Sequence, residues 1–120
     1  LHAAQYSTPL SVNGRPTHAT FGFLRTLNVT YKKFPRYKNF MILWDTKAQW
    51  RFDIYPGYKD KRDVTDDQVK ARSEIKAQTP NLSIGLQHLG IPQMVASNFE
   101  ADDLAGYFCR KAMSENEQVK

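Results

Sequence analysis

Apolar residues recur at helical spacing over residues 17–31, and this periodicity predicts an amphipathic helix there. The apolar positions on its predicted inner face are Phe21, Leu24, Leu27 and Tyr31. Residues 7–16, which precede the helix, contain serine, proline and glycine, and their Asn13-Gly14 pair is a strong turn signal. The pattern therefore predicts a loop with a tight turn that leads into the first helix.

A continuous apolar run fills residues 39–45, with polar residues at its two ends. Such a run predicts a strand of a parallel sheet, because both faces of that kind of strand are covered. Residues 93–97 predict a second, shorter strand. Residues 46–64, directly after the first strand, are polar, aromatic and basic, and Pro56-Gly57 breaks any regular element within them.

Two further helices are predicted in the second half of the chain. The first begins at Thr65, because Thr65 and Gln68 have the spacing of a capping box, and it runs toward Gln78. Pro80 is predicted to interrupt or kink it, since proline lacks the N–H that a helix interior needs. The second runs from about residue 98 to 114. Apolar positions are Leu82, Leu86 and Leu89 after the proline, and Leu104, Tyr107, Phe108 and Ala112 on the inner face of the last helix.

The predicted order is helix, strand, helix, strand, helix. Strands that alternate with helices favour the α/β class, a parallel sheet flanked by helices. Two strands alone do not make a stable sheet of this class, so we expect one strand before Leu1 and another after Lys120. The 120 residues are therefore expected to be an incomplete portion of one domain, truncated at both ends.

Composition is typical of a soluble globular protein, with 41% hydrophobic and 24% charged residues. No apolar run approaches the roughly 20 residues of a membrane span. Cys109 is the only cysteine, which excludes a disulfide framework, favours a reducing, cytoplasmic setting and predicts a buried structural thiol. The formal net charge of +5 suits a polyanionic partner.

Carboxylates follow both predicted strands. Asp45 ends the first strand, and Glu100, Asp102 and Asp103 follow the second. Ligand sites of open α/β sheets lie at the carboxyl ends of strands, and hard divalent ions prefer carboxylate oxygens, so these residues are candidates for one metal site. The structural alternative is that Asp45 only turns into a loop, while the later acids stabilise a helix N-terminus by about 0.3–1 kcal/mol each.

Residues 50–62 interleave aromatic side chains with cations. Aromatic rings stack on bases and cations neutralise phosphates, so the segment is a candidate nucleic-acid contact. The alternative is a solvated basic loop whose aromatic rings turn into the core. Together with a carboxylate cluster, the segment is consistent with metal-assisted hydrolysis of phosphodiester bonds.

Four stretches of the chain carry a family resemblance. They are Gly14-Arg15-Pro16-Thr17-His18-Ala19-Thr20-Phe21-Gly22-Phe23, Leu43-Trp44-Asp45-Thr46-Lys47, Tyr55-Pro56-Gly57-Tyr58-Lys59 with Arg62, and Leu89-Gly90-Ile91-Pro92 followed by Phe99-Glu100-Ala101-Asp102-Asp103. They resemble the 5′-nuclease family, which includes the N-terminal nuclease domain of bacterial DNA polymerase I, phage 5′-exonucleases and flap endonucleases. The third stretch is similar to that family's Tyr-Lys-x-x-Arg signature, and the fourth to its Leu-Gly-Ile and Glu-Ala-Asp-Asp motifs. One departure is that Arg51 lies six positions after Asp45 (51 − 45), one fewer than expected for the family's active-site arginine.

The resemblance implies a PIN-like α/β fold and a structure-specific 5′→3′ exonuclease or flap endonuclease of DNA replication or repair. Its implied substrate is DNA with a 5′ flap or a 5′ end at a single-strand/double-strand junction, and its implied cofactor is Mg²⁺ or Mn²⁺, with two ions in the full-length parent. The implied metal ligands are Asp45, Glu100, Asp102 and Asp103, and the implied catalytic residues are Asp45, Arg51, Lys59 and Arg62. The implied DNA-binding residues are Thr17, Tyr58, Lys59, Lys61, Arg62, Lys70 and Arg72.

The family's remaining metal-binding carboxylates would lie before Leu1 and after Lys120, so we expect little or no activity from these 120 residues alone. Two alternatives keep the same fold. One is a non-catalytic member that binds structured DNA, and the other is an RNA-cleaving relative, which the Tyr-Lys-x-x-Arg element disfavours. An unrelated α/β domain with an acidic helix start requires more coincidences.

Overall fold

A computed structural model describes residues 10–37, 39–59 and 65–115 of the chain. In chain order, its elements are β1 (Ser11–Val12), β2 (Arg15–Pro16), α1 (His18–Lys33), β3 (Ile42–Trp44), α2 (Gln49–Ile54), α3 (Asp66–His88), β4 (Gln93–Val95) and α4 (Ala101–Ser114). The chain divides into two compact units. The helical unit comprises Leu1–Lys38 and Lys61–Leu89, and the sheet unit comprises Asn39–Asp60 and Gly90–Lys120.

The predicted turn before the first helix is confirmed in the helical unit. Strands β1 and β2 pair antiparallel around Asn13 and Gly14, which have φ angles of 49° and 74°. Two consecutive positive φ angles are the conformation of the hairpin turns that asparagine and glycine favour. The first helix is confirmed as well, and it extends two residues beyond the predicted end, to Lys33.

Helix α3 begins where the capping box predicts. The Gln68 backbone N–H donates to Thr65 Oγ1 and the Thr65 N–H donates to Gln68 Oε1, both at 3.3 Å. The predicted end near Gln78 and the interruption at Pro80 are wrong, because the helix continues through Pro80 to His88, while the alternative of a kink at Pro80 stays a prediction. Next to the proline, Thr79 Oγ1 donates to the carbonyl of Ile75 at 2.9 Å. Pro80 has no N–H for the carbonyl of Lys76, four residues earlier, and both residues are exposed, so the carbonyl without a helix donor belongs to an exposed residue.

The core of the helical unit lies between α1 and α3. Its buried apolar residues are Ala19 on α1 and Ala71, Ile75, Leu82 and Leu86 on α3. The predicted inner face of α1 is wrong, since Phe21 and Tyr31 are 53% and 51% exposed. Instead, the first turn of α1 faces α3. Thr20 donates to Gln78 Oε1 through its backbone N–H at 3.1 Å, and His18 Nε2 lies 3.5 Å from Glu74.

The sheet unit contains the two predicted strands, and they are parallel. Ile42 aligns with Gln93 and Trp44 with Val95, so the pairing covers three residues. The indole N–H of Trp44 also donates to the Gln93 side chain at 2.9 Å. The α/β class with a parallel sheet is therefore confirmed, whereas the short helix α2 within residues 46–64 was not predicted.

The last helix, α4, packs on β3, and Leu104 is its buried residue, at 9% exposure. Two expectations about this helix are wrong. Tyr107 is 55% exposed rather than part of the inner face, and Cys109 is an exposed thiol. Among the described helices, none is long and apolar enough to cross a membrane.

Candidate active site

A loop of five residues, 96–100, connects β4 to α4 at the carboxyl end of the sheet. Two side chains from the segment after β3 hold this loop. Thr46 Oγ1 lies within hydrogen-bond distance of the carbonyls of Ala96 and Phe99, at 2.7 and 2.8 Å, and Trp50 donates its indole N–H to the carbonyl of Asn98 at 3.0 Å. Asn98 has a φ of 65°, a left-handed conformation that asparagine tolerates better than most residues. The loop is therefore fixed in position by the β3 side of the sheet.

Carboxylates satisfy the free backbone N–H groups at the start of α4. Asp45 Oδ1 accepts from the N–H of Ala101 at 2.7 Å. Glu100 and Asp103 form a reciprocal capping box, in which each side chain accepts from the other residue's backbone N–H. The first turn of a helix has no intrahelical acceptors for these N–H groups and favours negative charge. The crowding of acids in this part of the sequence thus has a structural cause in addition to any chemical one.

Two cations gather on the same carboxylates. Arg51 donates from Nη1 to Glu100 at 2.6 Å and from Nη2 to Asp103 at 2.5 Å. The ammonium group of Lys59 forms an ion pair with the other oxygen of Glu100. We call these four side chains the ion-pair cluster: Arg51, Lys59, Glu100 and Asp103. Its two positive and two negative charges cancel, so the cluster has no net charge.

Tyr58 forms hydrogen bonds with two members of the ion-pair cluster. Its hydroxyl donates to Glu100 at 3.0 Å and accepts from Arg51 Nη1 at 3.2 Å. Its ring packs edge-to-face on Phe52 with 5.4 Å between the centroids, and Lys59 Nζ lies 4.9 Å from the same ring. Lys59 has a φ of 63°, and this left-handed backbone costs a non-glycine residue roughly 1–2 kcal/mol. The local structure therefore compensates for a strained lysine.

The electrostatics follow from these contacts. The hydrogen bond from Lys59 lowers the pKa of Glu100, with Tyr58 and Arg51 acting in the same direction and burial opposing them. The hydrogen bond with Tyr58 raises the pKa of Arg51, and the charges of Asp103 and Glu100 add to that effect. Glu100 is only 9% exposed and remains a carboxylate because these donors replace its water.

The fit of these residues to a divalent metal ion is partial. The described residues contain no group of three or more His, Cys, Asp or Glu side chains that could hold a metal. Glu100 and Asp103 are paired with Arg51 and Lys59, whereas Asp45 and Asp102 are exposed and form no ion pair within the described ranges. As arranged, the described carboxylates do not compose a metal site by themselves, and the four-residue metal set stays a prediction.

The predicted DNA-binding residues are divided between the two units. Thr17 precedes α1 in the helical unit, where its backbone N–H donates to Leu10 at 2.9 Å. On α3 of the same unit, Lys70 is exposed and Arg72 is half-buried. Tyr58 and Lys59 belong to the sheet unit. Lys61 and Arg62 lie outside the described residues.

The sequence does not predict that Thr46, Trp50 and Asn98 set the position of the loop of residues 96–100. Trp50 falls within the aromatic and basic segment 50–62, but no sequence pattern marks these contacts, because the partners lie 48 to 53 residues apart. The capping role of Glu100 and Asp103 had a usable signal, since their spacing of three is that of a capping box. The structure confirms the structural alternative, in which these acids stabilise a helix N-terminus, and leaves the metal interpretation a prediction.

The fold and the site together define an α/β domain with acids and cations gathered at the carboxyl ends of two parallel strands. Residues 2–120 match the family described as 5′-3′ exonuclease, N-terminal resolvase-like domain. The chain belongs to this family, as its motifs predicted.

Individual relatives agree with this assignment. A 5′-3′ exonuclease of Aquifex aeolicus is 34% identical over 115 residues, which cover 93% of this chain and 37% of that protein. A DNA polymerase I of Treponema pallidum is 32% identical and covers 96% of this chain but 11% of its own length. A 5′-3′ exonuclease of Mycoplasma pneumoniae is 38% identical over 80 residues, 66% of this chain and 25% of that protein. The chain thus spans little more than a third of these relatives at most, and no solved structure matches it.

Proposed function

We propose that the protein carrying this chain is a structure-specific 5′→3′ exonuclease or flap endonuclease that hydrolyses phosphodiester bonds of DNA. In this proposal the chain is the front portion of the nuclease domain, and further elements precede and follow it. Membership of the 5′-3′ exonuclease family supports the reaction class. The net charge of +5 supports a nucleic-acid substrate.

The observation that carries the proposal is the ion-pair cluster at the carboxyl ends of β3 and β4. Arg51 and Lys59 lie there on Glu100 and Asp103, next to the start of α4 and its capping residue Asp45. This end of a parallel sheet is where α/β proteins bind ligands. Fixed cations beside carboxylates are suited to the hydrolysis of phosphodiester bonds. The cations bind the phosphate, while the carboxylates bind a metal ion or accept a proton.

The predicted cations and Thr17 have the following roles in this proposal. Lys59 and Arg62 contact the scissile phosphate, and Arg51 assists them. Thr17, Lys61, Lys70 and Arg72 contact the DNA backbone. Backbone contacts carry little sequence information, so recognition is of DNA shape.

A divalent ion, Mg²⁺ or Mn²⁺, is part of the proposal. Such an ion activates water and stabilises the leaving oxygen when it is bound. Of the four predicted metal ligands, Asp45 and Asp102 are exposed, and a hard cation prefers carboxylates that water can reach. Further carboxylates from outside the described residues would complete the ligand set.

The test is cleavage of a labelled 5′-flap DNA, with Mg²⁺ and with EDTA, by a protein extended at both ends to the length of its exonuclease relatives. We expect metal-dependent cleavage near the flap junction. Asp45→Asn should abolish it, because Asn keeps the hydrogen bond to Ala101 but not the charge. Lys59→Ala should reduce it. Matched controls are Asp53→Asn and Lys111→Ala, which remove the same charges from exposed positions on α2 and α4. Cleavage by the 120-residue chain alone at the rate of the longer protein would contradict the proposal that residues from outside these 120 complete the active site.

A second candidate is a member of the family that binds structured DNA without cutting it. The neutral ion-pair cluster favours it, because Glu100 and Asp103 already have cationic partners. In the same experiment, tight and salt-sensitive binding of the flap with no cleavage in Mg²⁺ or Mn²⁺ would select this candidate. A parallel assay with an RNA flap of the same sequence separates DNA from RNA specificity.

A further inference from the structure

The aromatic rings of the aromatic and basic segment, residues 50–62, separate into two groups in the structure. Phe52 and Tyr58 are half-buried and pack edge-to-face, with 5.4 Å between their ring centroids. Trp50 and Tyr55 are exposed, at 41% and 64%. The structural alternative for this segment, in which the aromatic rings turn into the core, therefore accounts for Phe52 and Tyr58 but not for Trp50 and Tyr55.

Two contacts fix the ring of Trp50. Its indole N–H donates to the carbonyl of Asn98 at 3.0 Å, and the guanidinium carbon of Arg51 lies 4.9 Å from the ring centroid. Arg51 is itself held in place, because it donates to Glu100 and Asp103. The indole is thus held in one orientation while much of its surface stays exposed.

A fixed and exposed indole is suited to stacking on a nucleobase. Every nucleobase has a π face, so this kind of stacking does not depend on which base is present. Because two contacts already hold Trp50, little side-chain freedom is lost when a base stacks on it. Stacking also removes apolar surface of the ring from water, which is favourable.

The cations next to Trp50 favour a nucleic acid as the source of that base. Lys47 precedes Trp50 by three residues, and Arg51 follows it directly. Lys47 is exposed, its ammonium group lies 5.1 Å from the centroid of the Phe52 ring, and it forms no ion pair within the parts of the chain that the structure describes. An aromatic ring that stacks on bases, beside cations that bind phosphates, is the combination that binds single-stranded nucleic acid.

We propose that Trp50 is a stacking platform for an unpaired nucleobase in the single-stranded part of the DNA. The inference rests on the proposed function, because a 5′ flap or an unpaired 5′ end supplies that base. It adds a contact with a base, whereas the cations of the proposed function contact phosphates. Stacking is independent of base identity, so recognition remains that of DNA shape.

The first experiment compares two 5′-flap DNAs that differ only in the bases of the flap. One flap consists of thymidines, and the other consists of abasic tetrahydrofuran nucleotides, which keep the phosphates. Fluorescence anisotropy gives the affinity of the full-length protein for each DNA in EDTA. The wild type should bind the thymidine flap about five-fold more tightly or better, since one base–aromatic stack contributes at least about 1 kcal/mol. Equal affinities would overturn the proposal and indicate that another part of the protein covers Trp50.

Three variants assign the effect to the ring. Trp50→Ala should remove the difference between the two flaps and leave the affinity for the abasic flap unchanged. Trp50→Phe keeps an aromatic ring but loses the N–H that binds Asn98, and it should retain most of the difference. Tyr107→Ala, at an exposed aromatic residue of α4 in the same unit, is the matched control and should bind both flaps like the wild type.

Two results with these variants would show that Trp50 only holds the loop of residues 96–100. One is an equal loss of affinity for both flaps in Trp50→Ala. The other is a Trp50→Phe variant that behaves like Trp50→Ala, because the hydrogen bond to Asn98 and not the ring would then matter. Either result would overturn the proposal.

A second experiment uses only the wild type, so that unfolding of Trp50→Ala cannot obscure the result. The protein is irradiated with a flap that contains iododeoxyuridine, a base that cross-links to the aromatic ring on which it stacks. Peptide mass spectrometry then locates the cross-link. Attachment to Trp50 supports the proposal, and the absence of a cross-link at Trp50 overturns it.

Failure of this inference is distinguishable from failure of the proposed function. A protein that cleaves the flap with Mg²⁺ but binds both flaps equally keeps the nuclease function and excludes stacking on Trp50. Base-dependent affinity without cleavage supports stacking and selects the DNA-binding candidate. If neither flap is bound, both proposals are wrong.

Discussion

At the scale of single residues, the charge of Glu100 depends on its neighbours. The pKa of Glu100 is lowered from an ordinary value of 4.5, first by the hydrogen bond from Lys59 and then by Tyr58 and Arg51. A lowered pKa means that the unfolded chain binds more protons than the folded one in this range. The ion-pair cluster therefore stabilises the fold fully above the ordinary pKa, and that contribution is lost as the pH falls through the lowered value in the folded state.

We accordingly expect Glu100→Gln to lower the melting temperature at neutral pH and to do so less in acid. The gap to wild type should narrow as the pH falls below 4.5 and through the lowered pKa of Glu100 in the folded state, because protonation then removes the charge of Glu100 in both states of the wild type. Thermal unfolding followed by circular dichroism across this range measures the gap. Glu115→Gln, at an exposed position just after α4, is the control and should stay close to wild type throughout. A gap that does not change with pH would contradict the role given to the Glu100 charge.

Asp45 combines a structural contact with a proposed chemical one, and two substitutions separate them. Asp45→Ala removes the acceptor for the Ala101 N–H, and loss of such a cap costs about 1 kcal/mol in the free energy of unfolding. Asp45→Asn keeps an acceptor and should cost clearly less. Urea unfolding of both variants, with Asp53→Ala on α2 as the control, measures the difference. Equal destabilisation by Ala and Asn would show that the charge, not the hydrogen bond, supports the helix start.

At the scale of elements, both long helices of the helical unit depend on polar contacts as well as on apolar packing. Gln78 on α3 is 6% exposed and accepts from the backbone N–H and the hydroxyl of Thr20, at 3.1 and 3.3 Å. Thr20 is in the first turn of α1, where an N–H has no intrahelical acceptor. A side chain of one helix therefore caps the start of another.

Replacement of this contact should be costly. Gln78→Leu fills a similar volume but leaves the Thr20 N–H without its acceptor, which should cost roughly 1 kcal/mol, the low end for an unsatisfied group, because Thr20 is half-buried. Chemical denaturation followed by circular dichroism gives the change in the free energy of unfolding. Gln87→Leu, the same change at an exposed position near the end of α3, is the matched control and should be nearly neutral. Similar values for the two variants would show that water replaces Gln78 at no cost.

At the scale of the whole molecule, the charge distribution bears on the proposed DNA contact. The chain has 17 Lys and Arg against 12 Asp and Glu. The ion-pair cluster neutralises Arg51 and Lys59 internally, so in the absence of DNA the attraction for a polyanion comes from cations elsewhere. Lys70 is such a cation, exposed on α3.

Lys70→Ala should therefore weaken binding of a 5′-flap DNA without changing its preference among sequences. If Lys70 contacts one phosphate, the slope of log affinity against log salt concentration should fall by about 0.9. Fluorescence anisotropy over a range of KCl concentrations in EDTA gives this slope. Lys111→Ala on α4 removes the same charge and should leave the slope unchanged. Equal effects of the two variants would indicate a response to net charge rather than to a contact.

The sequence by itself determined the features whose causes are local. The turn at Asn13-Gly14, the capped start of α3 at Thr65 and the apolar strand Ile42–Trp44 each depend on residues within about four positions of one another. The α/β class follows from the order of such elements. The motifs around Asp45, Tyr58, Lys59 and Glu100 also identified the family and most of the residues that meet at the ion-pair cluster.

Only the tertiary structure decided which groups those residues contact. Arg51 and Lys59 lie 49 and 41 positions from Glu100, and Gln78 lies 58 positions from Thr20. Pairings of this kind depend on how elements pack and not on a local period. For the same reason, α1 turns its first turn rather than its apolar row toward α3. Helix α3 continues through an exposed Pro80 because buried apolar residues on both sides of the proline, Ile75 before it and Leu82 after it, secure the packing. All four acids at the carboxyl ends of β3 and β4 could be found from the sequence, but packing alone determined that Glu100 is surrounded by donors while Asp102 is exposed to solvent.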